Sequence, residues 1–184
     1  WKKTGRGLQV SAPDFHDWHD QNSSFDAMAY YYGFETAVNP GTTAEYASIA
    51  GVTSEFARVF GVEPEVGRFF NDDELKPGSS GAALISDGYW RSHYAADPSA
   101  LGKTIRVSGR SVTIVGVMPP RFRFPEKTDV WLPANTLFPE TKSRSAHNYR
   151  VIGRLKPGVP IAEAQAQLTA IASHSVRPQC CGPT

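Results

Sequence analysis

Residues 103–118, KTIRVSGRSVTIVGVM, decide the fold class. On both sides of Ser108-Gly109-Arg110, apolar side chains (Ile105 and Val107, then Val112 and Ile114) alternate with polar ones. A period of two places one set on one face of a pleated strand. The central tripeptide holds a glycine, the residue that reverses a chain tightly at least steric cost, so Lys103–Val107 and Ser111–Met118 are predicted to form a β-hairpin. Pro119-Pro120 closes it, because proline has no N–H to give to a ladder.

Working outward toward the N-terminus, Ala82–Ser86 reads as a short buried strand, with Ser86 or Asp87 capping a helix through Tyr94, and Asp97-Pro98 starts a turn. The stretch containing Pro64, Gly67, Pro77 and Gly78 is irregular and reads as a surface connection or a joint between subdomains. Before it, Thr53 or Ser54 is placed to cap a helix carrying Phe56, Val59 and Phe60, and Gly61 to end it. The aromatics of Met28–Thr36 favour a strand, Asn39-Pro40-Gly41 breaks it, and Thr42–Val52 is its candidate hairpin partner. Ser11 to about Gln21 reads as a capped helix with Phe15 and Trp18 facing inward. Toward the C-terminus, Tyr149–Leu155 alternates as a strand, Lys156-Pro157-Gly158 turns, and Ile161, Ala164, Leu168, Ile171 and Ala172 recur at helical spacing. Hairpins mixed with single helices predict an α+β layered fold rather than a doubly wound parallel one.

With 40% hydrophobic and 20% charged residues, the 184-residue chain can bury a core without metal or disulfide staples. Nineteen basic against eighteen acidic residues, scattered rather than blocked, argue against nucleic acid as a partner. No apolar run approaches the ~20 residues needed to span a bilayer. The chain starts and stops abruptly without an initiating Met, as an excised fragment would. Cys180 and Cys181 are adjacent in the 174–184 tail, too close to bridge each other readily, which leaves an interchain disulfide or a frayed end.

Chemistry-bearing motifs are sparse. Asp14, His16, Asp17, His19 and Asp20 are dense, but His16 with His19 or Asp20 is the helical pair, and no Glu follows the first His as it does in zincins. A solvated helix face is the simpler reading. Asn71-Asp72-Asp73-Glu74 lacks the alternating ligands and mid-loop glycine of an EF-hand and reads as an acidic turn. No nucleophile elbow, phosphate loop or dinucleotide fingerprint occurs. Neither a cofactor nor a metal site is therefore expected, and no catalytic residue is assigned. The rival readings are a hydrolase with scattered Ser, His and Asp residues, which would need His147 or His93 buried beside a serine and a carboxylate, and a carbohydrate-binding module, which would need a planar row of exposed aromatics.

Six phrases in series carry a family resemblance: Ala12-Pro13-Asp14-Phe15-His16-Asp17-Trp18 with Gln21–Phe25; Phe60–Pro64 with Gly67-Arg68-Phe69-Phe70; Leu84–Trp90; Asp97-Pro98 with Leu101-Gly102-Lys103; Val115–Pro120; and Arg154–Val159. From about Ser11 to Ser173 the chain resembles the MacB-like periplasmic core domain of FtsX-like ABC-transporter permeases, especially the large acidobacterial ones. The resemblance implies a domain between the first and second transmembrane helices of a four-helix permease, on the periplasmic side of the inner membrane. It implies a porter-like αβ part, about 11–54 and 148–173, with an inserted second α/β part, about 63–135, that contains the hairpin. It further implies a non-catalytic role: a cytoplasmic ATPase hydrolyses ATP and this domain moves, in a permease dimer, to drive efflux or to actuate a periplasmic adaptor or substrate.

Within that frame the segments Val62–Phe70 and Pro119–Pro125 read as the joint between the parts. Arg68, Arg121, Phe122, Arg123 and Phe124 are the candidate partner contacts, because aromatic and arginine residues dominate interface energetics. The alternative is that both phenylalanines plug the core while the arginines are solvated. Tyr31 is a further candidate, since a strand must put one ring of Tyr30-Tyr31-Tyr32 on the opposite face from its neighbours. Neither acidic stretch has a complete ligand set, so calorimetric titration of the purified chain with zinc or calcium is expected to show no one-to-one binding in the micromolar range. Such binding would instead point to His16, His19 and Asp20.

Overall fold

The computed structural model describes residues 9–41, 43–125 and 127–175, and Cys180 and Cys181 lie outside the described residues. Ser11 caps helix α1 (Ala12–Gln21): its hydroxyl accepts from the Asp14 N–H, and the helix buries Ala12 and Phe15. Strand β1 (Phe25–Asn39) follows and is longer than predicted, running to the Asn39 turn, where the Asn39 side chain accepts from the Gly41 N–H. Its hairpin partner is β2 (Glu45–Val52), in register from Tyr31 opposite Val52 to Val38 opposite Glu45.

Helix α2 (Phe56–Phe60) departs from expectation at its start: Glu55 occupies the cap position without a side-chain hydrogen bond. Thr53 is not free to cap, because its hydroxyl accepts from the Tyr30 N–H at 3.2 Å and reaches back to the Tyr30 carbonyl. Gly61 ends the helix in the left-handed conformation, as predicted. After β3 (Val66–Gly67) come β4 (Ala82–Ser86) and α3 (Asp87–Tyr94), capped by the Ser86 hydroxyl accepting from Tyr89 N–H. The hairpin is present as β5 (Thr104–Val107) and β6 (Arg110–Met118). Its two-residue loop has φ of 50° at Ser108 and 82° at Gly109, the primed geometry that matches strand twist and that glycine adopts freely. Strands β7 (Val130–Pro133) and β8 (Arg150–Leu155) and helix α4 (Ile161–Ser175) complete the chain.

The fold is α+β, built on one mixed sheet in the order β2-β7-β4-β6-β5-β1-β8, with β3 on β6. Because β1 also pairs with β2, six strands form a closed circuit of hydrogen bonding. Strands β2 and β7, and β4 and β6, run parallel, and the other pairs are antiparallel. Alternate residues along these strands feed different cores. Val38, Ala47, Ile49, Ala83, Ile85, Ile105, Val112, Ile114, Val130 and Leu132 pack with Tyr89 and Trp90 of α3 in the first. Ala50, Leu84, Met118 and Trp131 meet Phe56 and Val59 of α2 in the second. The third joins Phe15 of α1 to Met28, Tyr30 and Tyr149, with Leu168 of α4 against it. The hairpin and α4 thus belong to separate cores, while the sheet remains continuous through β1. Gln167 of α4 accepts from the N–H groups of Ser23 and Ser24, fixing α4 beside the turn that leaves α1. Among the described residues, no helix is long and apolar enough to cross a membrane.

One close approach in the β1–β2 hairpin has a measurable cost. A Cβ at Gly51 would fall inside the Tyr32 ring, and that ring is anchored by its hydroxyl donating to the Ala134 carbonyl at 2.6 Å. Gly51→Ala is therefore expected to destabilise by about 2–3 kcal/mol through overpacking and to lower Tm by roughly 4–12 °C. Gly41→Ala, where nothing lies within 4 Å, should leave Tm nearly unchanged in the same thermal melts.

Candidate functional site

The segment that follows β6 turns back over α2 and supplies the rings predicted at the joint. Phe122 and Phe124 are both half-buried on the second core. Phe60 meets Phe124 at 4.8 Å between ring centroids and Phe122 at 5.2 Å, both in non-parallel orientations that suit aromatic quadrupoles. Phe56 meets Phe122 edge to face, and Phe122 continues onto Trp131 of β7. The loop backbone is fixed as well: Trp131 Nε1 donates to the Phe124 carbonyl at 3.0 Å, and Thr128 Oγ1 donates to the Pro125 carbonyl at 2.8 Å.

On its other side α2 is tied to the sheet and α1. Arg154 of β8 donates to the Val59 carbonyl at 2.9 Å, and Arg58 reaches Asp26 of β1 at 2.9 Å. Glu55 accepts from the Met28 N–H at 2.8 Å and lies 3.4 Å from His19 of α1. This five-residue helix therefore links β1, β8 and α1 on one side to the 119–125 segment on the other. Glu55 and Arg154 were not singled out in the sequence, since no local spacing relates either to its partners.

The predicted contact residues divide by surroundings. Arg121 and Arg123 are exposed on either side of the half-buried Phe122, whose N–H donates to the Pro119 carbonyl at 2.9 Å and closes a turn over Pro120-Arg121. Arg68 is exposed but bound, with its two terminal nitrogens each 2.8 Å from an oxygen of Glu74. Glu74 in turn accepts from Asn71 N–H, and the Asn71 side chain accepts from Glu74 N–H, so the acidic stretch is a self-capped turn. The Arg68 hydrogen bonds hold the Glu74 carboxyl below its usual range, and the same contact raises Arg68. Stability from this pair is present above the ordinary Glu value and fades as pH falls through the lowered one; half-exposed as Arg68 is, it contributes at most about 1 kcal/mol. Tyr31 is 9% exposed, with its ring 5.0 Å from Phe124, so it lines the same aromatic cluster from the β1 side.

The histidines and acids of α1 separate to different partners. His16 lies 3.0 Å from Glu140, and His19 pairs with Asp20 and Glu55. Asp14 and Asp17 both receive Arg144. Glu140 also accepts from the Tyr30 hydroxyl, and three ion pairs, one from Glu140 and two from Arg144, strap the 134–148 segment onto α1. Among the described residues no group of three or more His, Cys, Asp or Glu is placed to hold a metal ion. His147 is exposed, and His93 pairs with Glu45 at 2.9 Å, while its neighbour Ser92 donates to the Gly88 and Tyr89 carbonyls of its own helix. That serine is turned away from the imidazole that would have to activate it. Trp90 and Trp131 are buried in separate cores, which removes them from any exposed aromatic row.

A family model described as the MacB-like periplasmic core domain matches residues 3–171. Among solved structures, the chain is similar to the periplasmic region of MacB from Actinobacillus actinomycetemcomitans, with a TM-score of 0.72 at 15% identity over 94% of this chain and 78% of that one. It is also similar to the extracellular domain of the noncanonic ABC-type transporter YknZ from Gram-positive bacteria, with a TM-score of 0.71 at 16% identity over 92% and 86% of the two chains. No curated protein matches the chain.

The aromatic cluster should dominate the stability of the contact between α2 and the 119–125 segment. Phe124→Ala removes a half-buried ring that touches Phe60, Phe56 and Tyr31, for an expected loss of about 2 kcal/mol and a Tm lower by roughly 4–8 °C. Arg121→Ala should stay within about 0.5 kcal/mol of the parent in the same denaturation series.

Proposed function

The chain belongs to the MacB-like periplasmic core domain family, and on that premise we propose that it is the non-catalytic periplasmic domain of an ABC-transporter permease that passes ATP-driven motion across the inner membrane. In this reading its own transmembrane helices tether both ends, and a cytoplasmic ATPase supplies the work. A permease dimer delivers the motion to a substrate being expelled or to a periplasmic adaptor. The porter-like part, about 11–54 and 148–173, stays with the membrane helices, and the insert, about 63–135, moves relative to it.

The observation that supports this most directly is the seam between α2 and the 119–125 segment. It consists of side-chain contacts between half-buried rings, with no β-ladder across it, and ring contacts can slide or part at far lower cost than a ladder can shear. Elsewhere the two parts are joined by ladders, β2 to β7 and the end of β1 to β5, so the motion is a flexing about those strands rather than a hinge between independent bodies. Arg121 and Arg123, exposed on either side of Phe122, are proposed partner contacts, as is Arg68, held on its Glu74 brace.

The test is to lock the seam in the full-length permease with Phe60→Cys and Phe122→Cys, at positions whose rings lie 5.2 Å apart. Transport or partner activation is expected to fall by about tenfold or more on oxidation and to return on reduction, with each single substitution insensitive to oxidant. Undiminished activity at complete cross-linking would remove the moving seam and leave the domain as a rigid docking platform.

A further inference from the structure

Away from the seam, the chain returns from β7 to β8 through a segment held at its two ends by backbone and core and in its middle by side chains. At its start it is anchored to the six-strand circuit: the Ala134 N–H donates to the Val52 carbonyl, Arg110 donates to the Thr136 carbonyl at 2.7 Å, and Leu137 is buried in the first core. At its end Tyr149 exchanges both backbone hydrogen bonds with Val10. Between those anchors, among the described residues, the backbone hydrogen bonds of residues 138–148 stay inside the segment, from Ala146 to Ser143, His147 to Ser145 and Asn148 to Ala146. None of residues 139–148 is buried. What fixes this middle stretch is Glu140, which faces His16 at 3.0 Å and accepts from the Tyr30 hydroxyl, and Arg144, whose Nη1 lies 2.7 Å from Asp14 and 2.8 Å from Asp17. His16, Asp14 and Asp17 all belong to α1.

Ion pairs this exposed contribute little each and weaken as salt screens them, whereas the ladders and packed cores at either end do not. An irregular stretch with few buried contacts opens before the elements around it. Beneath it lies an aromatic cluster: Tyr30 is 1% exposed, with its ring 4.9 Å from Phe15 and 4.4 Å from Tyr149. Burial and then the Glu140 hydrogen bond push the Tyr30 phenol's pKa upward, so its hydroxyl remains a proton donor to that carboxylate while the segment is closed. We propose that residues 139–147 form an ionic latch that ties the exit of the circuit to α1 and opens as a unit, giving the Tyr30 hydroxyl to water. Opening leaves both anchors intact and puts slack into the connection from β7 to β8. In the flexing proposed above, a closed latch resists movement of the circuit against α1 and an open one does not. The latch itself rests on the contacts named here and not on transport.

The test uses the isolated chain, so a failure of the latch and a failure of the transport reading are separate results. Spin labels are placed at two exposed positions, Lys142→Cys in the segment and Gln21→Cys at the end of α1, with Cys180→Ser and Cys181→Ser removing the native thiols. Pulsed dipolar distance measurement is expected to show a main short distance and a minor longer one, the minor population growing about fivefold from about 0.05 M to about 1 M KCl. Arg144→Gln should raise it about fivefold at low salt and remove most of the salt response. Tyr30→Phe, which leaves the ion pairs in place, should raise it about threefold. A second label pair on β2 and β5, at the exposed positions Tyr46→Cys and Arg106→Cys, should keep one distance throughout, because the circuit stays intact. Both variants are first checked for parental Tm, and the salt series on the parent carries the test where a variant does not fold. The proposal is overturned by a single distance that neither salt nor Arg144→Gln changes. It is equally overturned by a longer population that grows only together with a change in the second pair, since that is unfolding of the whole chain.

Discussion

Everything in this fold hangs on the double pairing of β1. Its first half is hydrogen-bonded to β8 and its second half to β2, with the last two residues also meeting β5. At Tyr31 the two ladders overlap, opposite Val52 on one side and Arg150 on the other. A single strand therefore fixes the position of the α1, β8 and α4 layer against the six-strand circuit. It also requires small residues where its large rings must lie flat. Gly51 beneath Tyr32 and Gly153 beneath Phe25 both serve this, each leaving room for a ring that any Cβ would invade.

The short helix α2 occupies the angle that β1 creates. Its inner face, Phe56 and Val59, belongs to the second core, and its polar groups bind β8 and the first half of β1. The 119–125 segment then closes over Phe60. Order is imposed on the β1 side by backbone and charge-assisted hydrogen bonds and on the loop side mainly by rings. The stiffness of the two flanks consequently differs, although both touch the same helix.

What could be read in the sequence was whatever a few neighbouring residues decide. The Ser11 and Ser86 caps, the Ser108-Gly109 reversal and the end of α2 at Gly61 are local, and each was legible. The α2 cap was misassigned because Thr53 is claimed by Tyr30, a competitor more than twenty positions away. The parallel pairings of β2 with β7 and β4 with β6 leave no local signature, since their partners are separated by whole elements. The aromatic character of the 119–125 segment was visible in Phe122 and Phe124, but their packing on Phe60 was not. Tyr31 illustrates the limit: alternation says that its ring opposes those of Tyr30 and Tyr32, but not that Phe124 covers it. The straps from Glu140 and Arg144 to α1 come from a segment with no periodicity at all.

The register of β1 also sets an order of assembly. Phe25 pairs with Leu155, so nearly the entire described chain lies between the two halves of that ladder. The six-strand circuit, by contrast, closes entirely within residues that end at β7. On a ribosome the circuit can be completed while the first half of β1 still lacks its partner, and closing so long a loop afterwards is the slow entropic step. Until β8 emerges, Ala27, Met28 and Ala29 have no strand partner, and a nascent chain arrested there would expose an unpaired apolar strand able to recruit a foreign edge.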